Sequence, residues 1–185
     1  MGGVGSAAAA AATARRLTLA EAAGRPYDGV LSAGIAGGFA DRVPVAGTVI
    51  ATRSVAAELG ADSPEGFLPL AELGFGSSIV ECDPALLAGL HAALPGAVAG
   101  EVLTVCTVTG TADGATRLRS RWPDAVAESM EGFGVATAAA QAGLGYAELR
   151  TVSNAIGPRD RAAWRIGDAL AALSAAAPAL ASLAP

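Results

Sequence analysis

Short apolar runs alternate with longer alanine-rich stretches along the 185-residue chain, and this pattern predicts strands that alternate with helices. Strands are predicted at residues 27–32, 48–52, 101–108, 125–127 and 147–152. Helices are predicted at residues 6–23, 84–94, 112–121 and 135–141, and from residue 161 or 162 to near Leu183. This alternation, with no internal repeat, predicts a single α/β domain that spans residues 1–185.

Polar or glycine-rich segments follow three of the predicted strands. A loop of glycine and alanine, residues 33–38, follows the first strand; Glu131 follows the 125–127 strand, and Ser153 and Asn154 end the 147–152 strand. Because ligand sites of open α/β sheets collect at the carboxyl ends of strands, we expect these three features to share one pocket. Glu131 has a second interpretation, since an acidic residue in the first turn also stabilises a helix.

Two further segments have open interpretations. Residues 58–76 are rich in glycine, proline and acidic residues without periodicity, which predicts a long loop that acts as a lid, a binding loop or a contact between subunits. Thr107 and Val108 end the 101–108 strand. They either serve only as strand-forming residues or line the mouth of the same pocket.

Charge and apolar content exclude several classes of protein. The formal net charge is −5, and the twelve basic residues are all arginines that form no long run. Nucleic-acid binding needs a concentrated basic surface and is not expected. The absence of lysine excludes Schiff-base chemistry. No segment is a convincing membrane span, so we expect a cytoplasmic protein with no membrane partner.

The cysteines and the histidine offer no metal site. Cys82 and Cys106 lack the spacing of a zinc site or a disulfide framework, and we expect both to remain reduced. His91 is the single histidine, so neither a multi-histidine metal site nor a histidine-based triad can be assembled. We therefore expect neither a metal nor a cofactor.

Three motifs carry a resemblance to a known family. Residues 33–38 read AGIAGG, residues 130–136 read MEGFGVA, and residues 150–166 read RTVSNAIGPRDRAAWRI. With these motifs the chain resembles the nucleoside phosphorylase/nucleosidase superfamily, to which the methylthioadenosine nucleosidases belong, and within it looks most like the futalosine hydrolases. The resemblance implies a mixed central sheet flanked by helices, a purine nucleoside as substrate, and a homo-oligomer.

The resemblance also assigns roles to residues of this chain. It implies that Glu131 binds the ribose hydroxyls and that Met130 packs beside the sugar. It implies that the base and the ribose are lined by the backbone of Gly34, Ile35 and Ala36 and flanked by Thr107, Val108, Ser153 and Asn154. A threonine at position 107 offers no face on which a purine can stack, so stacking is expected from elsewhere, and Phe133 is one candidate.

Asn154 departs from the adenine-specific members of the family, which carry an aspartic acid there. An amide can donate to the O6 or N7 of hypoxanthine, whereas a carboxylate would meet O6 as acceptor against acceptor. An unmet buried acceptor costs on the order of 1–3 kcal/mol, which is enough to decide the choice of base. The resemblance therefore implies hydrolysis of futalosine to hypoxanthine and dehypoxanthine futalosine in menaquinone biosynthesis, with Asn154 stabilising the leaving group.

Two alternatives remain open. Phosphorylases of the superfamily hold phosphate with an arginine and a serine that flank the first glycine of the 33–38 motif, and here those positions are Ser32 and Ile35, so water is favoured over phosphate. The water-activating glutamate of the family would precede Met1, so the chain is expected to be N-terminally truncated relative to the family. A catalytically impaired nucleoside-binding homologue is therefore the second alternative beside a purine nucleoside phosphorylase.

Overall fold

Strands and helices alternate through residues 2–181 and 183, the part of the chain that this computed structural model describes. The strands are β1 (Gly29–Gly38), β2 (Thr48–Ala56), β3 (Gly60–Ser63), β4 (Gly66–Pro69), β5 (Ile79–Glu81), β6 (Val98–Thr104), β7 (Ala125–Ser129) and β8 (Gly145–Ala155). The helices are α1 (Ser6–Ala22), α2 (Pro84–Ala93), α3 (Ala112–Arg121), α4 (Gly132–Gln141) and α5 (Ile166–Ala181). All five predicted helices are present.

Six strands form one mixed sheet in the order β5-β2-β6-β7-β1-β8. Strands β2, β6 and β7 run parallel to one another, and β1 runs parallel to β8 but antiparallel to β7. Residues 48–50 of β2 also pair with residues 149–151 of β8, so the sheet closes on itself. The prediction of a single α/β domain with a mixed central sheet is confirmed.

The prediction of a loop at residues 33–38 was wrong, because β1 continues to Gly38 and pairs with β8 along its whole length. The small residues permit close packing within a strand instead of a turn. A Cβ atom on Gly38 would lie 2.8 Å from a methyl group of Val43 and 2.9 Å from one of Val152. A bulge between Ala36 and Gly37 then shifts the register just before the strand ends.

The prediction of a long irregular loop at residues 58–76 was also wrong in part. Strands β3 and β4 form a two-stranded antiparallel hairpin there, and Gly66 begins β4 directly after the turn, at a φ of 120°. Phe67 of this hairpin contacts the main body of the protein, because the Arg121 guanidinium lies 3.8 Å from the centre of its ring. Phe75, beyond the hairpin, remains 78% exposed.

Helix α4 packs tightly because its first residues are small. Gly132 leaves no room for a side chain beside the carboxylate of Glu148, and Gly134 leaves none beside the Ser6 backbone of α1. Ala136 and Ala139, further along α4, are fully buried in the apolar core between the helix and the sheet. Helix α4 therefore starts in direct backbone contact with α1, which holds the end of β7 in a fixed position.

Two element boundaries differ from their predictions in ways that affect the site. Strand β6 ends at Thr104, so Thr107 and Val108 lie in the following loop instead of in the predicted 101–108 strand. Helix α5 begins only at Ile166, because Asp160 caps a short 3₁₀ turn at Arg161–Ala163 and Trp164 is extended. Both changes place loop residues beside the end of β8.

Within residues 2–181 and 183, no helix is long and apolar enough to cross a membrane. The same residues contain no cluster of three or more histidine, cysteine or acidic side chains that could hold a metal ion. Cys82 is buried and Cys106 is exposed, and both are free thiols.

Candidate active site

The carboxyl ends of β1, β7 and β8 meet side by side, and Gly37 joins them. Gly37 pairs with Glu128 of β7 on one side and with Asn154 of β8 on the other. A Cβ atom at position 37 would lie 3.4 Å from Asn154 Nδ2 and 3.5 Å from Glu128 Cγ. The glycine therefore leaves open the space between these two polar side chains.

A pocket opens at this junction. Its side chains include those of Glu128, Asn154, Val108, Thr109, Arg159 and Trp164. Trp164 is partly buried, and the Arg159 guanidinium lies 5.9 Å from the centre of its ring. A carboxylate, an amide and an aromatic ring around one small space suit a flat heterocycle that carries both donors and acceptors.

The orientation of the Asn154 amide follows from its two neighbours. The Ser153 hydroxyl donates to Asn154 Oδ1 at 2.8 Å, and Asn154 Nδ2 donates to the carbonyl oxygen of Ala155 at 3.0 Å. These two hydrogen bonds assign the oxygen to the Ser153 side and the nitrogen to the side of Gly37. Nδ2 carries two hydrogens, so one remains available to a ligand in the pocket.

Glu128 is a buried carboxylate that faces the same pocket, with 5% of its surface exposed. It accepts a hydrogen bond from the Thr109 backbone N–H at 2.8 Å and another from the Thr109 hydroxyl at 2.7 Å. Burial raises the pKa of Glu128, and the hydrogen bonds from Thr109 oppose this shift. These bonds also connect β7 to the loop that follows β6.

Glu131 lies between β7 and α4, as predicted, and it occupies the N-cap position of the helix. Its side chain makes no capping hydrogen bond. Instead, Glu131 Oε1 accepts a hydrogen bond from the Gly5 backbone N–H at 3.1 Å, and Oε2 lies 3.8 Å from Arg150 Nη1. The side chain is 26% exposed, so a ligand can still reach it.

Arg150 belongs to a buried cluster that the sequence interpretation missed. Arg150 Nε donates to Glu148 Oε1 at 2.8 Å, and Arg150 Nη2 donates to the Ser32 hydroxyl at 2.9 Å. The Tyr146 hydroxyl donates to Glu148 Oε2 at 2.8 Å. Tyr146, Glu148 and Arg150 alternate along β8 and therefore project from one face of the sheet. Three polar residues at every second position of an apolar strand were the available signal.

Electrostatics keep this cluster in one protonation state. Burial alone would lower the pKa of Arg150, but the attraction of Glu148, with smaller contributions from Tyr146 and Glu131, raises it above its ordinary value. Burial, followed by the negative charge of Glu148, raises the pKa of Tyr146 well above its ordinary value. The guanidinium therefore stays charged, and the phenol stays a hydrogen-bond donor.

Glu131 with Arg150, and Glu128 with Asn154, form two polar groups that lie beside the same strand, β1. Gly34 has no side chain, which leaves room for the Arg150 guanidinium beside Glu131, while Gly37 adjoins Glu128 and Asn154. Three residues of extended strand span about 10 Å. The Glu131 end and the Asn154 end of β1 are thus separated by a distance that one nucleoside, with its ribose and its base, can bridge.

The structure brings only some of the predicted site residues to the pocket. Val108 and Asn154 line it, and Ser153 is buried behind Asn154. Thr107 is exposed in the loop after β6, and Ile35 and Met130 are partly buried. The Ser153 hydroxyl oxygen also lies 3.2 Å from the carbonyl oxygen of Ala36, which competes with the nearer Asn154 Oδ1 for its single proton. The aromatic side chain beside the pocket is Trp164, whereas Phe133 does not line it.

Comparisons with known proteins identify relatives that match most of the chain. The chain is 57% identical over 172 residues to a futalosine hydrolase from Streptomyces coelicolor, covering 93% of this chain and 73% of that protein. It is 49% identical over 163 residues to a futalosine hydrolase from Acidothermus cellulolyticus, covering 84% of this chain and 65% of that protein. The protein thus spans about two thirds to three quarters of the length of these relatives.

The fold has a close match among solved structures. A 5′-methylthioadenosine/S-adenosylhomocysteine nucleosidase from Colwellia psychrerythraea, in complex with adenine, superimposes with a TM-score of 0.82 at 22% sequence identity. The match covers 100% of this chain and 76% of that one. In sequence, the family described as the phosphorylase superfamily matches residues 1–184. The chain therefore belongs to the phosphorylase superfamily.

Proposed function

We propose that this protein hydrolyses the N-glycosidic bond of futalosine and releases hypoxanthine and dehypoxanthine futalosine, a step of menaquinone biosynthesis. The observation that carries the proposal is the fixed orientation of the Asn154 amide, which presents an N–H group to the pocket. Identity of 57% to a futalosine hydrolase supports the choice of substrate.

Asn154 would act on the leaving base. As the glycosidic bond breaks, electron density moves from the sugar onto the purine, and N7 and O6 become stronger acceptors. The free Nδ2 hydrogen of Asn154 would stabilise this charge by hydrogen bonding. Ser153 would support the reaction indirectly, because its hydroxyl bonds to Asn154 Oδ1 and stops the amide from presenting its oxygen to O6.

Glu131 would bind the ribose end of the substrate. Its carboxylate can accept hydrogen bonds from two neighbouring hydroxyl groups, and the Gly5 N–H and Arg150 hold it in place. Met130 would pack beside the sugar. The backbone of β1 at Gly34, Ile35 and Ala36 would run along the base and ribose, where the absence of large side chains permits close approach.

Trp164 is a better candidate than Phe133 for contact with the base or with the group attached to the ribose. It lines the pocket together with Val108, and an indole ring offers the large flat surface that Thr107 lacks. Thr107 is then left with a position at the exposed margin of the loop, next to Val108.

Charge favours water over phosphate as the nucleophile. Sequence reasoning identified no cation beside Ser32, but Arg150 reaches the Ser32 hydroxyl from β8. This cation is already matched by Glu148 at 2.8 Å and faces Glu131 at 3.8 Å, so one positive and two negative charges leave the cluster at −1. A phosphate dianion would be repelled there, whereas water would not.

Two properties beyond the reaction also belong to the proposal. We place the protein in the cytoplasm, because two free thiols are usual in a reducing compartment. We also propose a homo-oligomer in which residues 58–76 contribute to the contact, since Leu59 is 41% and Phe75 is 78% exposed. Light scattering of the purified protein, with Phe75→Ser as the variant that weakens the contact, tests the assembly.

An incubation with three nucleosides tests the proposed reaction. The protein is mixed with futalosine, inosine or methylthioadenosine, with and without phosphate, and free base is separated by chromatography. We expect hypoxanthine from futalosine, at a rate that does not depend on phosphate. Release of adenine without hypoxanthine, or strict dependence on phosphate, would contradict the proposal. Binding of hypoxanthine without any release of base would support the impaired homologue instead.

A further inference from the structure

A second cavity lies at the C-terminal end of helix α1, and the proposed reaction leaves it without a role. Helix α1 ends at Ala22, and Gly24, with a φ of 66°, reverses the chain so that residues 25–27 return beside the helix. The space between the helix and this returning segment has a volume of about 420 Å³. This is the size of a site for a small molecule.

The polar side chains that line this cavity, Arg16, Arg25 and Tyr27, are all hydrogen-bond donors. Arg16 Nε donates to the Tyr27 hydroxyl oxygen at 2.7 Å, so the Tyr27 hydroxyl keeps its own hydrogen for a ligand. Within the part of the chain that the structure describes, the terminal nitrogens of Arg16 and the guanidinium of Arg25 have no hydrogen-bond or ion-pair partner. No acidic residue lines the cavity. These donors favour an anion.

The end of helix α1 does not cancel this attraction. A helix C-terminus carries a partial negative charge of about half a unit, which comes from its unpaired carbonyl groups. Here the carbonyl oxygens of Leu19, Ala20 and Glu21 accept hydrogen bonds of 2.9 to 3.2 Å from the backbone N–H groups of residues 23–25. Two full positive charges on Arg16 and Arg25 therefore outweigh the charge of the helix end.

Apolar groups form the rest of the lining. They belong to Leu19, Ala20, Ala23 and Pro26, beside the ring of Tyr27. An inorganic anion would leave this surface uncovered, whereas a carboxylate attached to a flat apolar body would cover it. We propose that this cavity binds a small organic carboxylate. Arg16, Arg25 and the Tyr27 hydroxyl hold the charged group, and the apolar body lies against the apolar lining.

This site is separate from the candidate active site. Helix α1 has 17 residues and is about 25 Å long. Gly5, just before its first turn, contacts Glu131, whereas the cavity lies at the opposite end. No residue lines both this cavity and the pocket beside Asn154. The inference therefore does not depend on the proposed reaction.

Benzoate is the probe for this site, and benzamide is a neutral control of the same shape. Binding is measured by NMR titration of the unaltered protein at low ionic strength, because salt screens exposed charges. We expect benzoate to bind saturably and at least about tenfold more tightly than benzamide, because the charged hydrogen bonds are lost in benzamide. Acetate, which has the charge but no ring, should bind at least about fivefold more weakly than benzoate. Absence of saturable binding, or equal binding of benzoate and either control, would overturn the inference.

Two variants locate the site. Arg15 is an exposed neighbour on α1 that does not line the cavity, so Arg15→Gln is a control that removes the same charge as Arg25→Gln. Arg25→Gln should weaken the binding of benzoate by at least about fivefold, and Arg15→Gln should change it by less than about twofold. Equal weakening in the two variants would mean that only the overall charge attracts benzoate, which contradicts a site.

A competition experiment separates this inference from the proposed function. Saturating hypoxanthine should leave the binding of benzoate in place, because the two ligands occupy different cavities. Loss of benzoate binding under these conditions would place benzoate in the base pocket and overturn the inference. Failure to hydrolyse futalosine would contradict the proposed function but would leave the benzoate result unchanged.

Discussion

Arg150 and Glu148 lie two residues apart on β8 and form a fully buried ion pair, with 2.8 Å between Nε and Oε1. Neither charge has access to water, because the side chains are 3% and 0% exposed. The pair also contacts the residue proposed to bind the ribose, since Arg150 reaches both Ser32 and Glu131. Structure and proposed function therefore depend on the same arginine.

Replacing Arg150 by Met should destabilise the protein strongly. The substitution keeps most of the volume but leaves Glu148 as a buried charge without its partner. Removing one member of a buried pair typically lowers the free energy of unfolding by about 3–5 kcal/mol. Chemical denaturation followed by circular dichroism measures the change.

The control for this variant breaks an exposed pair. Arg119 bonds to Asp41 through two contacts of 2.6 Å, but both side chains are well exposed, at 38% and 54%. Arg119→Ala should lower the free energy of unfolding much less than Arg150→Met, because water solvates the charge that remains. Equal losses in the two variants would show that Glu148 does not depend on Arg150.

Replacing Glu131 by Gln should weaken the binding of nucleosides but not of free bases. A hydrogen bond to a charged carboxylate contributes about 1.5–3 kcal/mol, against about 0.5–1.5 kcal/mol for one to a neutral acceptor, so the loss should be about 1–1.5 kcal/mol, or about 5- to 12-fold in affinity. Free hypoxanthine lacks the sugar and should bind as tightly as before. Calorimetry with inosine and with hypoxanthine separates the two; a parallel loss for both ligands would argue against a ribose site at Glu131.

The fold was largely predictable because its elements have regular patterns. The alternation of apolar and alanine-rich runs placed all five helices, and α3 was predicted with its observed bounds, Ala112–Arg121. The β1 segment was misread, because glycine and alanine residues predict a loop when considered alone. In the structure their small size fits β1 against Val43, which follows closely in the chain, and against Val152, which is distant in the sequence.

Residues of the candidate site were predictable only where a single residue stood out in its local sequence. Glu131 and Asn154 stood out as polar residues at strand ends, and both lie at the meeting edge of the strands. Glu128 and Glu148 did not stand out, because a glutamate inside a strand is usually solvated. Their burial depends on partners from other elements, Thr109 for Glu128 and Arg150 for Glu148, and no local pattern shows such contacts.

The two cysteines should differ sharply in reactivity. Burial, with a smaller contribution from the charge of Glu148, raises the pKa of Cys82 to about 12, whereas Cys106 is exposed. The thiolate is the reactive form, so at about pH 8 a thiol reagent should modify Cys106 quickly and leave Cys82 intact. Cys106→Ser should abolish the fast reaction, and unfolding should expose Cys82. Fast modification of Cys82 in the folded variant would contradict its burial.

Replacing Asn154 by Asp should shift the preference of the protein from 6-oxopurines toward adenine nucleosides. The carboxylate would lose the hydrogen bond to the Ala155 carbonyl and would face O6 of hypoxanthine as acceptor against acceptor. A repelled buried acceptor costs about 1–3 kcal/mol, so the rate with futalosine or the affinity for hypoxanthine should fall by about 5- to 150-fold. A protonated aspartic acid could instead donate to N7 of adenine, so the affinity for adenine should rise.

Two further variants, Asn154→Ala and Ser153→Ala, distinguish the contribution of the amide donor from the contribution of its orientation. Asn154→Ala removes the donor without adding an acceptor, so binding of hypoxanthine should weaken and binding of adenine should not improve. Ser153→Ala keeps the amide but removes the hydroxyl that bonds to Oδ1. The amide is then freer to rotate, and the difference in affinity between hypoxanthine and adenine should become smaller. A preference for hypoxanthine that survives in Asn154→Asp would mean that the base is selected by other contacts.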